Sequence, residues 1–269
     1  MPDTFSDGGK SGALNPPAPD VSVVIPVYKN KETLAELHGR LTAVLGELMP
    51  VFELIFVDDA CPEGSLGILE EIARGDSRVA VMALEKNIGQ HRAILAGLTQ
   101  ARGDWIVVLD ADLQDPPEAI PRLLSKLQEG FAAVFAGRRG RYESPARLLS
   151  SRVFKYLLHV CCAVPADAGL FMAMTRQAAD RLLAFATPHP FLTGMIGLTS
   201  APLASIPVWR SARPRGRSAY GSWKRLTTGV RLTASMILYR WRPTASNAKE
   251  FRFPVKALIG VRYGGSTPG

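Results

Sequence analysis

The sequence predicts an α/β protein built on a mostly parallel sheet with helices on both faces, and three observations carry that expectation. Apolar, β-favouring runs of buried-strand length recur at VSVVIPVY (21–28), FELIFVDD (52–59), VAVMAL (79–84) and WIVV (105–108). Between them lie short loops and stretches with apolar residues at helical spacing, as crossovers between parallel strands require. The polar residues Tyr28, Asp58, Asp59, Asn87, Asp110 and Asp112 all fall at strand ends, so this topology gathers them along one edge of the sheet.

The elements follow in order. Residues 1–20 are rich in Gly, Pro, Ser and Asp, lack the apolar core of a signal peptide, and read as a disordered leader. After the first strand, 31–48 carries Leu34, Leu37, Leu41, Val44, Leu45 and Leu48 on one helical face. The second strand ends in Asp58 and Asp59, and a short helix with Leu66, Leu69 and Ile72 leads to the third. The segment 90–101 makes the next helix and WIVV the fourth strand; 116–129 reads as a helix and 131–137 as a further strand.

From about residue 145 the character changes. PARLLSSRVFKYLLHVCCAV (145–164) is a basic amphipathic helix, either core-facing or in contact with a membrane. WKRLTTGVRLTASMILYRW (223–241) poses the same choice, with aromatic and arginine residues at its ends as an interface would have them. The tail after Pro243 has weak periodicity and reads as mostly irregular. The expected division is a leader to 20, a main domain over 21–221, an amphipathic, membrane-surface helix over 222–242 and a tail over 243–269.

Net charge is +8, and no acidic residue lies between Asp180 and Glu250, a span rich in arginine and lysine. Its partner is anionic: nucleic acid, a lipid surface or a diphosphate each satisfies the charge. Cys61, Cys161 and Cys162 show neither zinc spacing nor a disulfide framework. No run reaches the roughly 18 apolar residues of a membrane-spanning helix, so the chain is expected to be soluble or to lie on a surface without spanning it; the cysteines make a reducing compartment the default, and the expected location is the cytoplasm, at the cytoplasmic face of a membrane.

The stretch LDADLQDPPE (109–118) carries the chemistry. Asp110 and Asp112 are delivered where a strand gives way to its loop, and their alternation turns both toward one small volume, with Gln114 next along that side. An all-oxygen set suits Mg²⁺ or Mn²⁺. The competing reading is a solvated strand-to-helix turn in which Asp115 caps a helix with proline in its first turn.

VSVVIPVY, FELIFVDD and NIGQHRAILAGLTQARGDWIVVLDADLQDPPE together resemble the family-2 nucleotide-sugar glycosyltransferases, in the branch of dolichol-phosphate mannose synthase and the bacterial polyprenyl-phosphate glycosyltransferases. SSRVFKYL, DAGLF and RPRGRSAY extend the likeness more loosely, to about residue 242. The resemblance implies a GT-A fold with a Rossmann-like sheet, a nucleotide-diphosphate-sugar donor, a divalent cation and an inverting displacement. It places Pro26, Val27 and Tyr28 on the nucleotide base, with Asp58 hydrogen-bonded to it, and assigns metal and donor phosphates to Asp110, Asp112 and Gln114. Asn30, Asn87 and Gln90 join the donor side. Arg213 and Arg217, with Ser218, can clamp the diphosphate once their loop folds over it. Lys29 and Asn30 stand where the family often has Asn then Glu, so base or sugar selectivity is expected to differ. Gly169, Leu170, Phe171 and Met172 replace a segment like GDFR on the acceptor side, leaving Asp167 as the catalytic candidate there, with a helix-cap or turn aspartate as the competing reading.

Three functions compete. The first transfers a sugar to a polyprenyl phosphate, an acceptor already anionic and in need of no base, at an anionic membrane surface. In the second the acceptor is a hydroxyl of a glycan or glycolipid, which needs a base, with Asp167 the first candidate. The third is a non-catalytic nucleotide or nucleic-acid binding module; it lacks an aromatic RNA-binding signature and leaves Asp110, Asp112 and Gln114 without a purpose, so nucleic acid is not an expected partner. Of the histidines only His91, in NIGQHRA, lies near the presumed donor site.

Overall fold

The computed structural model describes residues 18–48, 51–139, 159–160, 162–185, 190–199, 201–211 and 253–260. Most of the leader, most of the 145–164 segment, the whole of 223–241 and the ends of the tail lie outside the described residues.

The first strands form as their composition dictates. β1 (Val21–Val27), β2 (Phe52–Asp58) and β3 (Val79–Leu84) are buried at every position, as parallel strands covered on both faces must be. β4 (Trp105–Val108) joins the other side of β1, giving the parallel run β4-β1-β2-β3. The full sheet has eight strands in the order β7-β5-β6-β4-β1-β2-β3-β8. Two are reversed: β6 (Met172–Thr175) lies antiparallel between β4 and β5 (Ala133–Arg139), and β8 (Val255–Ile259) runs antiparallel along β3. β7 (Leu203–Trp209) pairs in parallel with β5 at the other edge. The expected mostly parallel sheet is present, and the tail read as mostly irregular contributes one of its edge strands.

Alternation along the strands sends side chains to two cores. Val23, Ile25, Leu54 and Phe56 pack with α1 (Leu34–Leu48), α2 (Ser65–Gly75) and α4 (Ile120–Leu127) on one face. Val24, Ile55, Val57 and Phe135 pack on the other with α3 (Gln90–Leu98), α5 (Arg176–Leu183) and α6 (Leu192–Leu198). α3 approaches the sheet so closely that a Cβ on Gly97 would lie 2.5 Å from Val24 Cγ1 and 2.9 Å from Val57 Cγ2. Gly97→Val is therefore expected to lower stability by about 1–3 kcal/mol or more through overpacking of stiff β-branched neighbours. Chemical denaturation checks it; an unchanged midpoint would contradict the packing described.

Among the described residues no helix is long and apolar enough to cross a membrane.

Candidate active site

β4 ends at Val108, and the next residues turn across the carboxyl edge of the sheet. Leu109 N donates to Val24 O at 3.2 Å, which continues the pairing with β1 up to the first aspartate. Thr33, at the start of α1, donates its hydroxyl to Ala111 O at 2.5 Å. Leu113, between Asp112 and Gln114, is buried with φ 57°, a left-handed conformation that costs a non-glycine residue free energy and is held by its surroundings. The loop is thus built to a fixed shape.

Within it Asp110 and Asp112 do face one volume: Asp110 Oδ2 and Asp112 Oδ1 lie 3.8 and 4.0 Å from the same nitrogen, Nη2 of Arg210. Gln90 Nε2 donates to Asp110 Oδ1 at 2.5 Å, and Gln114 N to Asp112 Oδ1 at 3.1 Å. Burial pushes the Asp110 carboxyl up to about 6, reinforced by the charges of Asp112 and Asp115 and opposed by Arg138 and Arg210. Crowded carboxylates of this kind are short of positive charge. Among the described residues no three His, Cys, Asp or Glu side chains form a ready-made cation cage. Two converging carboxylates fit a hard divalent ion that keeps water and phosphate oxygens as its other ligands.

Asp115 is not a helix cap. The turn Pro117–Ala119 that precedes α4 has Pro116 at its N-cap and no capping side chain. Asp115 is 2 % exposed and bound in bidentate fashion by Arg210, whose Nε and Nη2 donate at 3.0 and 3.1 Å. An arginine fork matches a carboxylate better than a backbone N–H can, so the pair overrides the local capping preference.

On the donor side two adjacent aspartates take different roles. Asp59 accepts from Ile88 N at 2.7 Å and Gly89 N at 3.0 Å, while Asn87 Nδ2 donates to Asp59 O at 3.2 Å, so these groups fasten the loop before α3. Asp58 is buried, and its Oδ1 has no hydrogen-bond partner among the described residues. Burial raises its pKa, opposed by the Cys61 N–H, and Lys256 on β8 also favours the charged form. An unpaired buried carboxylate oxygen is costly and marks a place for an incoming donor. Pro26 and Val27 close β1, with Val27 beside Asp58, and Tyr28 and Asn30 follow on the same edge. Asn30 uses its carbonyl to accept from Thr33 N at 3.1 Å and lies 2.8 Å from Thr33 Oγ1, whose one hydrogen it shares with Ala111 O.

Asp167 lies at the end of β5. Its Oδ2 is 3.8 Å from Arg139 Nη2, its carbonyl accepts from Arg138 N at 3.3 Å, and its carboxylate lies against the α-carbon of Gly137, leaving no room for a Cβ. Arg138 runs beside Gly169, and its buried Nε has no partner among the described residues. Arg213, Arg217 and Ser218 lie outside the described residues. His91 faces away from these carboxylates, with its ring edge-to-face on Phe191 at 5.2 Å and Nδ1 accepting from Leu192 N at 3.5 Å. Burial lowers its pKa to about 4, so it packs α3 against α6 as a neutral ring.

Arg138 and Arg210 were not singled out from the sequence as members of this edge. Arg138 follows directly on the strand expected at 131–137, so the rule that located the aspartates finds it; Arg210 follows β7 (Leu203–Trp209), a strand the sequence reading does not include, so the rule does not reach it.

Comparison with known proteins places this geometry. The model of Glycosyl transferase family 2 matches residues 22–187. An undecaprenyl-phosphate 4-deoxy-4-formamido-L-arabinose transferase of Shewanella sediminis is 36 % identical over 219 residues, covering 80 % of this chain and 66 % of the relative. The enzyme of that name from Pseudomonas fluorescens is 37 % identical over 207 residues, covering 76 % and 61 %. The chain thus spans less than two thirds of the length of these relatives. Among solved structures, glucosyl-3-phosphoglycerate synthase of Mycobacterium tuberculosis, with Mn²⁺, UDP and phosphoglyceric acid, superposes with a TM-score of 0.59 at 22 % identity, covering 82 % of this chain and 78 % of that one. At that identity the likeness is one of fold.

Proposed function

The chain belongs to glycosyl transferase family 2, and from that premise we propose that it moves a sugar from a nucleotide-diphosphate donor to a polyprenyl phosphate, with inversion at the anomeric carbon. One observation carries the reading: Asp110 and Asp112 converge at the carboxyl edge of β4, within 4.0 Å of one guanidinium nitrogen, on the edge where Asp58 has an oxygen with no partner among the described residues. The relatives named as undecaprenyl-phosphate transferases support a polyprenyl phosphate as acceptor.

Asp58 Oδ1 accepts an N–H of the base, against the surface made by Pro26, Val27 and Tyr28. Asp110 and Asp112, with Gln114, are the residues that would hold Mg²⁺ or Mn²⁺ beside the donor diphosphate. Such an ion would supply neutralisation of the charge on the departing nucleoside diphosphate, with no proton transfer needed from these residues. Asn30, Asn87 and Gln90 shape the donor side, and Arg213, Arg217 and Ser218 complete it from the basic segment. An oxygen of the lipid phosphate supplies the electron pair for the new bond at the anomeric carbon, while the bond to the diphosphate breaks on the opposite face and its pair leaves with the nucleotide. That acceptor is already an anion, so no general base is required. The basic C-terminal third meets an anionic membrane surface at the cytoplasmic face, where such a lipid is reached.

Asp167→Asn tests the acceptor. With a phosphate acceptor, Asp167 positions Arg139 and its loss is expected to lower turnover less than about tenfold; a hydroxyl acceptor needs it as base, and the loss is then about 10²–10⁴-fold. Release of nucleoside diphosphate, measured with and without a short polyprenyl phosphate, reads both cases. Release that no polyprenyl phosphate accelerates would contradict the proposed acceptor.

A further inference from the structure

Arg210 is the one cation seen to reach all three carboxylates of the Asp110–Asp115 loop among the described residues. Its fork is spent on Asp115 at 3.0 and 3.1 Å, and the same Nη2 lies 3.8 Å from Asp110 and 4.0 Å from Asp112. Its side chain is 12 % exposed, so water screens these charges little. The backbone fixes the approach: Arg210 N donates to Arg139 O at 3.2 Å, and Ser211 N to Gln114 O at 2.9 Å, which ties the end of β7 to both β5 and the loop. The backbone is held by these bonds, and the guanidinium by its fork to Asp115.

The arrangement sets two cations in competition. A divalent ion would sit about 2.0–2.2 Å from the oxygens that ligate it, and those oxygens already face a guanidinium. Like charges this close in a screened-off site repel strongly. A donor diphosphate reverses the balance, because its several negative charges give both cations a shared partner. We infer that Arg210 is the resident counter-ion of the metal loop, so that the divalent ion binds weakly to the ligand-free protein and loads together with the nucleoside diphosphate. Arg210 is on this account a positioning residue that couples the two ligands, and the inference rests on the assignment of Asp110 and Asp112 as metal ligands.

The test is equilibrium dialysis of the full chain against Mn²⁺, alone and with UDP or GDP, for the wild type, Arg210→Gln, Arg210→Lys and Asp112→Ala. The wild type is expected to bind Mn²⁺ at least about tenfold more tightly with the better nucleotide than without it. Arg210→Gln is expected to bind Mn²⁺ alone about tenfold more tightly than the wild type, with a smaller gain from nucleotide. Arg210→Lys keeps the charge, so weak binding of Mn²⁺ alone should persist, which separates the electrostatic role from any loss of packing. An unchanged or weaker affinity of Arg210→Gln for Mn²⁺ alone, with the nucleotide gain intact, overturns the coupling role and leaves the metal site standing. No Mn²⁺ binding by the wild type under any condition, or binding that Asp112→Ala retains, overturns both.

Discussion

Asp112→Ala is expected to reduce sugar transfer by at least about a thousandfold while the protein stays folded. Asp112 is 7 % exposed, holds the Gln114 N–H at 3.1 Å and lies with Asp110 around one guanidinium nitrogen. Its removal leaves one carboxylate where two converge, and frees the backbone that carries the third candidate ligand. The folding cost includes the loop hydrogen bond from Gln114 N–H, about 1 kcal/mol, offset in part by relief of repulsion from Asp110. Turnover and thermal midpoint measured on one preparation separate the two effects. Activity within tenfold of the wild type would contradict the assignment.

Asp110→Asn is expected to abolish transfer and to make the metal-free protein more stable at neutral pH. The folded carboxyl titrates at about 6 because of burial and of the charges on Asp112 and Asp115, against an ordinary 3.8. Below about pH 4 it is protonated in folded and unfolded chains alike and contributes nothing. As the pH rises the unfolded chain ionises first, so folding is disfavoured progressively up to about 6 and by a constant amount above it. That amount is on the order of 2–3 kcal/mol. Asparagine removes it and can still accept from Gln90. Denaturation at pH 7.5 in the presence of a chelator should show the variant more stable than the wild type, and at pH 4.5 the gap should narrow. A variant destabilised at both pH values would show that Asp110 is held by attraction, and that the loop is not short of positive charge.

The relation between these two predictions explains why the loop is strained as well as crowded. Carboxylates gathered to bind a cation repel one another without it, and Leu113 is held at φ 57° between them. Stability is given up at the place where the ligand restores it.

The parallel half of the fold was legible because β1 to β4 are buried on both faces and so read as continuous apolar runs. Their ends were legible too, since polar residues stop each run. β6 escaped notice because it is four residues long, MAMT, and no local pattern distinguishes a short buried strand from a buried turn of helix. β8 escaped for the opposite reason: an edge strand with alternating partial exposure has weak apolar signal. Within the site, the roles of Asp58 and Asp59 differ through burial and partners contributed by a loop some thirty residues on, which local pattern does not carry. The same holds for the fork between Arg210 and Asp115, separated by 95 residues. The sequence marks Asp115 as a cap by its neighbours, and only the parallel docking of β7 on β5 brings the arginine that claims it.

The most direct test of the account is to incubate the purified protein with Mn²⁺, radiolabelled nucleotide sugars in turn and a short polyprenyl phosphate, and to count label extracted into organic solvent. Extractable label is expected from at least one donor, lost on chelation of the metal and absent with Asp112→Ala. Donor consumption that leaves all label in water, or extraction indifferent to metal and to Asp112, would contradict the proposed function.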